Sequence, residues 1–433
     1  MKISLFQGIM LGFFGLIALV GLFVFATYTN SNGGAAAIGT VVIWGTLPHD
    51  AMSAALASAS TADQSLKNVS YVQKDPATFK SDLTAAIATE APPDLVLITQ
   101  EQLASLAPVL QPIPAATLSA STFQSTFAAE GALFGSSGGY YGIPLLIDPL
   151  VLYENTAVLA SAGIAQPPTT WEALTGLVPR LAQVKSGGGI AHALIPLGTY
   201  GNIDDARGIL SALFLQTGVT MSGRAASGVL AADLGEQVSA GGVPAGEAVL
   251  RFYTQFADPS KVSYTWNAAQ PLASASFIAG DTALYLGYAS EARYLAAANP
   301  NLNFAIAALP QPATAQVKST YGLLYALALP RGAKNASGAY QAAARLTSSA
   351  LQQALAAATG LAPASRAALA APPGDPTLAT AYASALYAKG WLSPAPPDVD
   401  TIFGAMISSV ISGKSGLSAA IVQAQGALSA KLQ

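Results

Sequence analysis

The stretch of sequence that decides the fold is YGIPLLIDPLVLY, residues Tyr141–Tyr153. It is long and almost entirely apolar, as expected of a buried strand, yet it contains Pro144 and Pro149. Prolines in strands are confined to edges, ends and bends because they donate no backbone hydrogen bond. We therefore interpret the segment as one bent strand that passes from one domain into another.

The residues before this strand alternate between strand and helix patterns. The predicted strands are Thr40–Trp44 (TVVIW), Val69–Gln73 (VSYVQ) and Pro93–Ile98 (PDLVLI), and helical spacing occupies 51–60 and 75–89 between them. Such alternation predicts a parallel sheet with crossover helices, whose ligand site lies at the carboxyl ends of the strands. After the bent strand, Thr170 is the predicted N-cap of a helix, further strands and helices follow to about residue 310, and the last third is largely helical.

The composition excludes several classes of protein. Only 9% of the 433 residues are charged and 52% are hydrophobic, whereas a soluble domain has about 25% charged residues. This is the reverse of a disordered chain. A net charge of -3 without basic runs also argues against nucleic acid and anionic membrane surfaces as partners.

One N-terminal run is long enough to cross a membrane. Ile3–Tyr28 carries no charge, and about 20 apolar residues suffice for a span. Lys2 precedes the run, so the rest of the chain is exported. We favour a single-pass anchor at 1–28 with a flexible tether at 29–39, although cleavage near Ala35–Ala37 is the alternative. The chain has no cysteine, which excludes a lipidated cysteine, disulfides and thiol chemistry.

Catalytic and metal motifs are weak. Gly135–Gly139 matches G-x-S-x-G, but no strand–turn–helix surrounds it, so we interpret it as a loop. His49 and His192 are the two histidines, and His192 lies in an apolar run typical of the core. Asp204 and Asp205 precede a helix, where they suit the helix dipole better than a cation site. We expect neither an enzyme nor a bound metal or cofactor.

Several segments resemble the extracellular solute-binding proteins of ABC importers, of the maltose- and oligosaccharide-binding type, and they occur in the family's order. They are the first strand TVVIWG (40–45), PDLVLI (93–98), the interlobe crossing YGIPLLIDPLVLYEN (141–155), AGIAQPPTTWEAL (162–174), FIAGDTALYLGY (277–288), NFAIAALPQP (303–312), the helix at 340–346 with its following TSS, and the C-terminal pair at 403–419. The sequence departs from the family pattern at two positions. Leu284 stands where the family usually has Met, and the tryptophan that often comes just after the following glycine is absent.

The resemblance implies a two-lobe α/β fold of the periplasmic-binding-protein type II, with a hinge that closes on a solute. Lobe one is expected at 40–149 and 309–360, and lobe two at 150–308 and 361–433. The implied protein is a monomer that captures a sugar-like, neutral polar solute and delivers it to a permease. A surface binding or sensing module without a permease remains the alternative function. A membrane-anchored hydrolase is the weakest of the three hypotheses.

Candidate solute contacts follow from position after the strand ends and from the family's usual contacts. Aromatic faces with Asp, Thr and Gln side chains suit sugars and other polyols. We expect Asp148→Ala and Tyr288→Ala to weaken binding with little loss of fold. The candidates are Trp44, Thr46, His49, Thr99, Gln100, Asp148, Tyr200, Trp266, Tyr288, Tyr321 and Phe403.

Overall fold

The computed structural model describes residues 38–224, 229–236 and 242–433. The predicted anchor at 1–28 and most of the predicted tether lie outside these ranges. Within them, no helix has both the length and the apolar character that a membrane crossing requires.

The strands are, in chain order, β1 (Val41–Gly45), β2 (Val69–Gln73), β3 (Leu95–Thr99), β4 (Leu110–Gln111), β5 (Ile113–Pro114), β6 (Gly135–Ser136), β7 (Gly139–Tyr140), β8 (Gly142–Asn155), β9 (Gln183–Val184), β10 (Ile190–His192), β11 (Met221–Arg224), β12 (Leu230–Asp233), β13 (Leu284–Tyr288), β14 (Phe304–Ala308), β15 (Thr320–Pro330), β16 (Ala362–Pro363) and β17 (Ala388–Lys389).

The helices are α1 (His49–Ala62), α2 (Phe79–Ala88), α3 (Gln100–Leu106), α4 (Ala120–Thr126), α5 (Thr156–Ser161), α6 (Trp171–Thr175), α7 (Val178–Leu181), α8 (Ala206–Gln216), α9 (Ala245–Thr254), α10 (Ala273–Ala279), α11 (Ala292–Ala298), α12 (Ala336–Leu346), α13 (Ser349–Thr359), α14 (Arg366–Leu369), α15 (Pro376–Ala385), α16 (Pro396–Ile411) and α17 (Leu417–Leu432). Short 3₁₀ turns occur at Gln64–Leu66, Ala107–Val109, Ala129–Phe134, Gln255–Ala257 and Ala289–Glu291.

The predicted parallel sheet is confirmed. β1 pairs in parallel with β2 on one side and with β3 on the other, and α1 and α2 supply the crossovers. All five residues of β3 are buried, as expected of a central strand whose two faces are both covered. Thr170 is also confirmed as an N-cap, since its hydroxyl accepts the Ala173 N–H at 3.1 Å.

The bent strand is β8, and its pairing partners change along its length. Residues 142–149 pair antiparallel with β15, with an irregularity beside Pro144. Residues 150–154 pair with β13, and 151–155 pair also with β14. We call the part built on β1–β3 and the first half of β8 the first lobe, and the part built on its second half with β13 and β14 the second lobe.

The C-terminal region contacts both lobes. β16 pairs with Leu146–Ile147 of β8 and α14 contacts α4, so these residues accompany the first lobe. α16 contacts α8, and α17 contacts α9 and β12, all in the second lobe. The residue ranges predicted for the lobes stay predictions.

Helix α8 is the second-lobe element that brings the lobes together. Its residues are buried except for Arg207 and the C-terminal Gln216, and it packs against β15 and β8 where these strands leave the first lobe. Trp391 binds the middle of α8, since its indole N–H donates to the Ser211 hydroxyl at 3.1 Å. The N-terminal end of α8 therefore has a defined position relative to the first lobe.

Candidate functional site: polar contacts between the lobes

Glu101 lies at the carboxyl end of β3, the position where a parallel sheet places its ligands. β3 ends at Thr99 and α3 begins at Gln100, and the Thr99 N–H donates to the Gln102 side chain at 3.0 Å across this turn. Glu101 occupies the first turn of α3, where its negative charge suits the helix dipole. Its side chain faces the second lobe and the residue is only 3% exposed.

Arg207, in the first turn of α8, reaches across to Glu101. Its Nε and Nη2 donate to the two oxygens of the Glu101 carboxylate, each at 3.1 Å. Its Nη1 donates to Asp400 of α16 at 2.6 Å. Burial alone would lower the pKa of Arg207, but Glu101 and Asp400 raise it well above its ordinary value. The guanidinium therefore stays charged between two carboxylates.

Two tyrosines complete these contacts. The Tyr200 hydroxyl donates to the other oxygen of Asp400 at 2.7 Å, and the buried Tyr321 hydroxyl donates to Glu101. Burial raises the pKa of both phenols, and their carboxylate partners raise it further. Both hydroxyls are thus neutral donors that hold the carboxylates in place.

Gln100 is buried and connects α3 to β15. Its amide nitrogen donates to the Gly322 carbonyl at 2.8 Å and to the Tyr321 hydroxyl at 3.3 Å. Its amide oxygen accepts the Leu324 N–H at 2.8 Å. Gln100 therefore positions Tyr321 and the turn that carries Glu101, rather than presenting a free amide.

Tyr288, at the end of β13, lies against the first turn of α8. A Cβ on Gly208 would come 2.5 Å from the Tyr288 hydroxyl, so glycine is what allows this approach. Burial raises the pKa of Tyr288, and the charges of Glu101 and Asp205 add to the effect. Its ring belongs to the same group of interlobe side chains as Glu101 and Arg207.

Asp148 makes another direct contact between the two lobes. It lies in the first half of β8, and its carboxylate accepts the Ser290 N–H at 3.1 Å and the Ser290 hydroxyl at 2.6 Å. Ser290 follows β13 in the second lobe. Burial raises the pKa of Asp148 to about 7, against the opposing effect of the Ser290 hydrogen bonds. Its ionisation therefore changes near neutral pH.

Asp204 and Asp205 do more than complement a helix dipole. Asp204 accepts the Ser274 N–H at 2.9 Å and its hydroxyl at 3.0 Å, which ties α8 to α10. Asp205 lies beside Glu291, and burial raises the pKa of both carboxyls. Tyr285 donates to Glu291 at 2.6 Å. No group of side chains in the described part of the chain is arranged to hold a metal ion.

The remaining first-lobe candidates lie at the edge of this region. Trp44 is partly buried, with the Lys74 ammonium 3.8 Å from its ring centroid. Thr46 is partly exposed, and Thr99 is buried at the end of β3. His49 is exposed and its ring lies 3.2 Å from the Ser53 hydroxyl. None of these four side chains forms a hydrogen bond with Glu101, Arg207 or Asp400 in the described part of the chain.

Two second-lobe aromatic candidates are placed in the core instead. Trp266 and Phe403 are fully buried, and Phe403 stacks near Trp391 at a centroid distance of 6.5 Å. Both rings fill the second lobe rather than face the first. The reason is that each belongs to the buried side of its segment, a property that position after a glycine or strand does not reveal.

Two interpretations of weak motifs have different outcomes. The loop interpretation of Gly135–Gly139 is confirmed, because β6 and β7 form a hairpin there. The interpretation of His192 as a core residue is wrong: it is exposed on β10, 4.0 Å from Asp281. The other two residues of β10, Ile190 and Ala191, are partly buried, whereas His192 at the end of the strand is exposed.

Sequence reasoning missed Glu101 and Arg207, which form an ion pair between the lobes, and Asp400, which binds the same guanidinium. One signal was available. Arg207 stands in the first turn of a helix, where the dipole disfavours a cation, so some other partner must hold it there. Asp400 carried no comparable signal within α16.

Comparison with known protein families identifies the family of this chain. Residues 55–384 match the family model described as bacterial extracellular solute-binding protein, which is about three quarters of the chain. The chain belongs to this family of extracellular solute-binding proteins. No curated protein matched the sequence significantly.

Solved structures of solute-binding proteins share the fold. The cyclic α-maltosyl-1,6-maltose binding protein from Arthrobacter globiformis is 16% identical, with a TM-score of 0.71 over 91% of this chain and 98% of its own. A maltose/maltodextrin-binding domain from Bdellovibrio bacteriovorus, bound to maltotriose, is 18% identical, with a TM-score of 0.65 over 90% and 98%. An ABC transporter solute-binding protein from Thermotoga lettingae, bound with α-D-tagatose, is 17% identical, with a TM-score of 0.66 over 91% and 100%. At these identities the likeness establishes the two-lobe α/β fold of this extracellular solute-binding protein.

Proposed function

We propose that this chain captures a neutral polar solute, a sugar or an oligosaccharide, between its lobes and delivers it to an ABC importer permease. The observation that carries the proposal is the meeting of Glu101, Arg207 and Asp400 with tyrosines between the lobes. Family membership supports a solute-binding role. The sugars named for the structural relatives support the solute class.

The chemistry of this region suits a polyol. A carboxylate accepts hydrogen bonds from neighbouring hydroxyls, a guanidinium donates to hydroxyl oxygens, and tyrosine faces pack against the apolar faces of a sugar ring. Glu101 and Asp400 supply the acceptors, Arg207 the donors, and Tyr288 and Tyr321 the rings. We propose these five with Asp148 and Tyr200 as the solute site.

The cellular setting is part of the same proposal. Residues 1–28 anchor the chain in the cell membrane by a single helix, and residues 29–39 tether the two lobes outside. The protein acts as a monomer whose lobes close around the solute, a hinge motion of the kind known for binding proteins. The permease distinguishes the closed from the open form, so transport depends on the fraction that is closed.

The test is stabilisation of the full chain by a panel of neutral sugars, polyols and peptides. A solute at a hundredfold excess over its Kd stabilises the folded protein by about 2.7 kcal/mol, which is a shift of several degrees in Tm. We expect neutral oligosaccharides to give the largest shift.

The matched variants are Glu101→Gln and Glu247→Gln. Glu247 lies on α9, where it makes a 4.0 Å surface contact with Arg251. We expect Glu101→Gln to weaken solute binding tenfold or more, roughly the loss of one hydrogen bond to a charged group, and Glu247→Gln to leave it unchanged. No stabilisation by any member of the panel, together with no closure by X-ray scattering, would overturn the proposal.

A further inference from the structure

A cavity of about 470 Å³ lies in the second lobe beside Tyr200. Its walls come from the loop before α8, the segment between α9 and α10, and the C-terminal turns of α16. This volume is within the range of roughly 300–1,000 Å³ that is usual for small-molecule sites. All the residues that border the cavity belong to the second lobe, so it is present whatever the angle between the lobes.

Asn202 holds the two loops that border the cavity together. Its side-chain nitrogen donates to the main-chain carbonyls of Asn267 and Gln270, at 2.9 and 3.1 Å. Its side-chain oxygen accepts the Thr199 hydroxyl. The walls are therefore fixed before a ligand arrives, which lowers the entropic cost of binding.

Tyr200 connects this cavity to the solute site proposed above. Its hydroxyl donates to Asp400, near the start of α16, at 2.7 Å. Its ring lies against Gly404, where a Cβ would come 3.3 Å from the nearest ring atom. Ser408, one turn further along α16, borders the cavity. From Asp400 to Ser408 the helix rises about 12 Å, so the cavity extends the solute site along α16.

The described residues that border the cavity are all uncharged. Three other cavities in the described part of the chain each include a charged side chain, namely Glu130 in the first, Arg366 in the second and Asp281 in the third. A cavity without charges suits a ligand that needs no counter-charge.

Hydroxyl and amide groups in this cavity can still bond to a ligand. The Ser412 hydroxyl donates to the Ser408 carbonyl at 2.7 Å, and a hydroxyl that donates can also accept. The Asn267 amide donates to the Tyr264 hydroxyl at 2.6 Å, and an amide nitrogen carries a second N–H. The cavity therefore offers both a hydrogen-bond acceptor and a donor to hydroxyls of a ligand.

We propose that this cavity is an accessory subsite for the further units of an oligosaccharide whose first unit lies between the lobes. The position of the first unit rests on the function proposed above. The Tyr200 ring and the neutral hydroxyl and amide groups suit an uncharged sugar unit. A monosaccharide at Asp400 does not extend to the cavity, whereas a longer chain does. The solute class thus narrows from sugars in general to neutral oligosaccharides.

The first test measures affinity against chain length in the full chain by calorimetry. One series is glucose, maltose, maltotriose and maltotetraose, and the other is mannose, mannobiose and mannotriose. The readout is the ratio of the affinity for the longest sugar of a series to that for its monosaccharide. We expect a ratio of at least about ten in the wild type for the preferred series, because the added units gain hydrogen bonds.

Two variants fill the cavity from different segments. Ser408 and Ala268 both border it and are exposed, so Ser408→Phe and Ala268→Phe should each lower the affinity ratio towards one. The control is Ala405→Phe, at an exposed position of α16 that is not among the residues bordering the cavity, and it should keep the wild-type ratio. Having two filling variants keeps the test valid if one of them folds poorly.

The second test is protection of a thiol. The chain has no cysteine, so in Ser408→Cys the introduced thiol is the only one that iodoacetamide can alkylate. At ten times its Kd, the longest sugar should slow this reaction about tenfold by occupying the cavity, whereas the monosaccharide should not slow it. In Ala405→Cys neither sugar should slow it.

The outcomes separate this subsite from the function on which it rests. A wild-type affinity that does not rise with chain length, or equal ratios in all three phenylalanine variants, overturns the subsite and leaves the proposed function standing. Alkylation of Ser408→Cys at the same rate with and without the longest sugar does so as well. If no sugar of either series binds the wild type, the subsite falls together with the proposed sugar-binding function.

Discussion

At the scale of single residues, buried acids dominate the electrostatics of a chain with few charges. Burial raises the pKa of Asp148 to about 7 and that of Glu130 well above its ordinary value of 4.5. Asp148 has Ser290 as its partner, but both oxygens of Glu130 are buried without a hydrogen bond. Glu130 lies close to Gly322 and Gly390, where the first lobe meets β15 and β17.

Replacing Glu130 by Gln should flatten the pH dependence of stability. A carboxyl whose pKa is raised by folding contributes stability that is fully present below about pH 4.5 and is lost as pH rises through its folded pKa. Gln at position 130 does not ionise, so the free energy of unfolding of Glu130→Gln should increasingly exceed that of the wild type as pH rises above about 4.5. Denaturant unfolding at several pH values measures this, and parallel curves would show that Glu130 is not the cause.

Removing the Ser290 hydroxyl should weaken closure of the lobes. Ser290→Ala removes the side-chain donor to Asp148 and leaves the backbone N–H groups of residues 289 and 290. Since hydrogen bonds to charged groups contribute about 1.5–3 kcal/mol, we expect solute affinity to fall at least about tenfold, measured by calorimetry. Ser409→Ala is the control, because that hydroxyl bonds only to Met406 of its own helix. Equal affinities in the two variants would contradict the role of the Asp148–Ser290 contact.

At the scale of elements, turns and helix starts follow local sequence closely. The Gly135–Gly139 loop illustrates this, because β7 begins at Gly139 with a backbone conformation that L side chains rarely adopt. Gly139 has φ +150°, and a Cβ there would lie 1.9 Å from the Ile113 carbonyl oxygen of β5. A glycine-rich sequence without the surrounding strand and helix of a nucleophile elbow therefore indicates a hairpin.

Gly139→Ala should disrupt the small sheet of β5, β6 and β7. The clash with backbone cannot be relieved by rotating a side chain, so we expect the free energy of unfolding to fall by more than about 3 kcal/mol. Gly138→Ala is the matched control, since a Cβ at Gly138 meets nothing within 4 Å. Similar stabilities of the two variants would show that the hairpin adapts.

At the scale of the whole molecule, β8 is what makes two lobes out of one chain. Its first half belongs to the sheet with β15 and its second half to β13 and β14. Asp148 and the Arg207–Glu101 bond lie at this crossing or next to it. Any change in the angle between the lobes therefore changes the geometry of these two contacts.

The proposed anchor makes a prediction for the whole protein. The run at 3–28 is longer than the 7–15 apolar residues of a cleaved signal, so the full chain expressed in bacteria should stay in the membrane fraction. Amino-terminal sequencing of that fraction should begin at Met1 or Lys2. Soluble protein beginning near Ala37 would contradict the anchor and indicate cleavage instead.

The amino-acid sequence by itself was enough for the alternating strands and helices, the long crossing strand and the family. The strands and helices depend on burial periodicity, prolines and turn residues, which are local properties of the chain, and the family follows from the resemblance of several segments in the family's order. The sequence also singled out Asp148, Tyr200, Tyr288 and Tyr321, which lie at the interlobe contacts: Asp148 through the family's crossover segment, and the tyrosines as aromatic residues in short Gly-containing motifs.

Only the tertiary structure decided which charges meet. Glu101 and Arg207 are separated by 106 residues, and Arg207 and Asp400 by 193, so no local pattern connects them. Likewise, Trp266 and Phe403 are core residues because of how the second lobe packs. The physical reason is that a polar contact between lobes depends on how two separately patterned units dock, and that is a property of the folded chain alone.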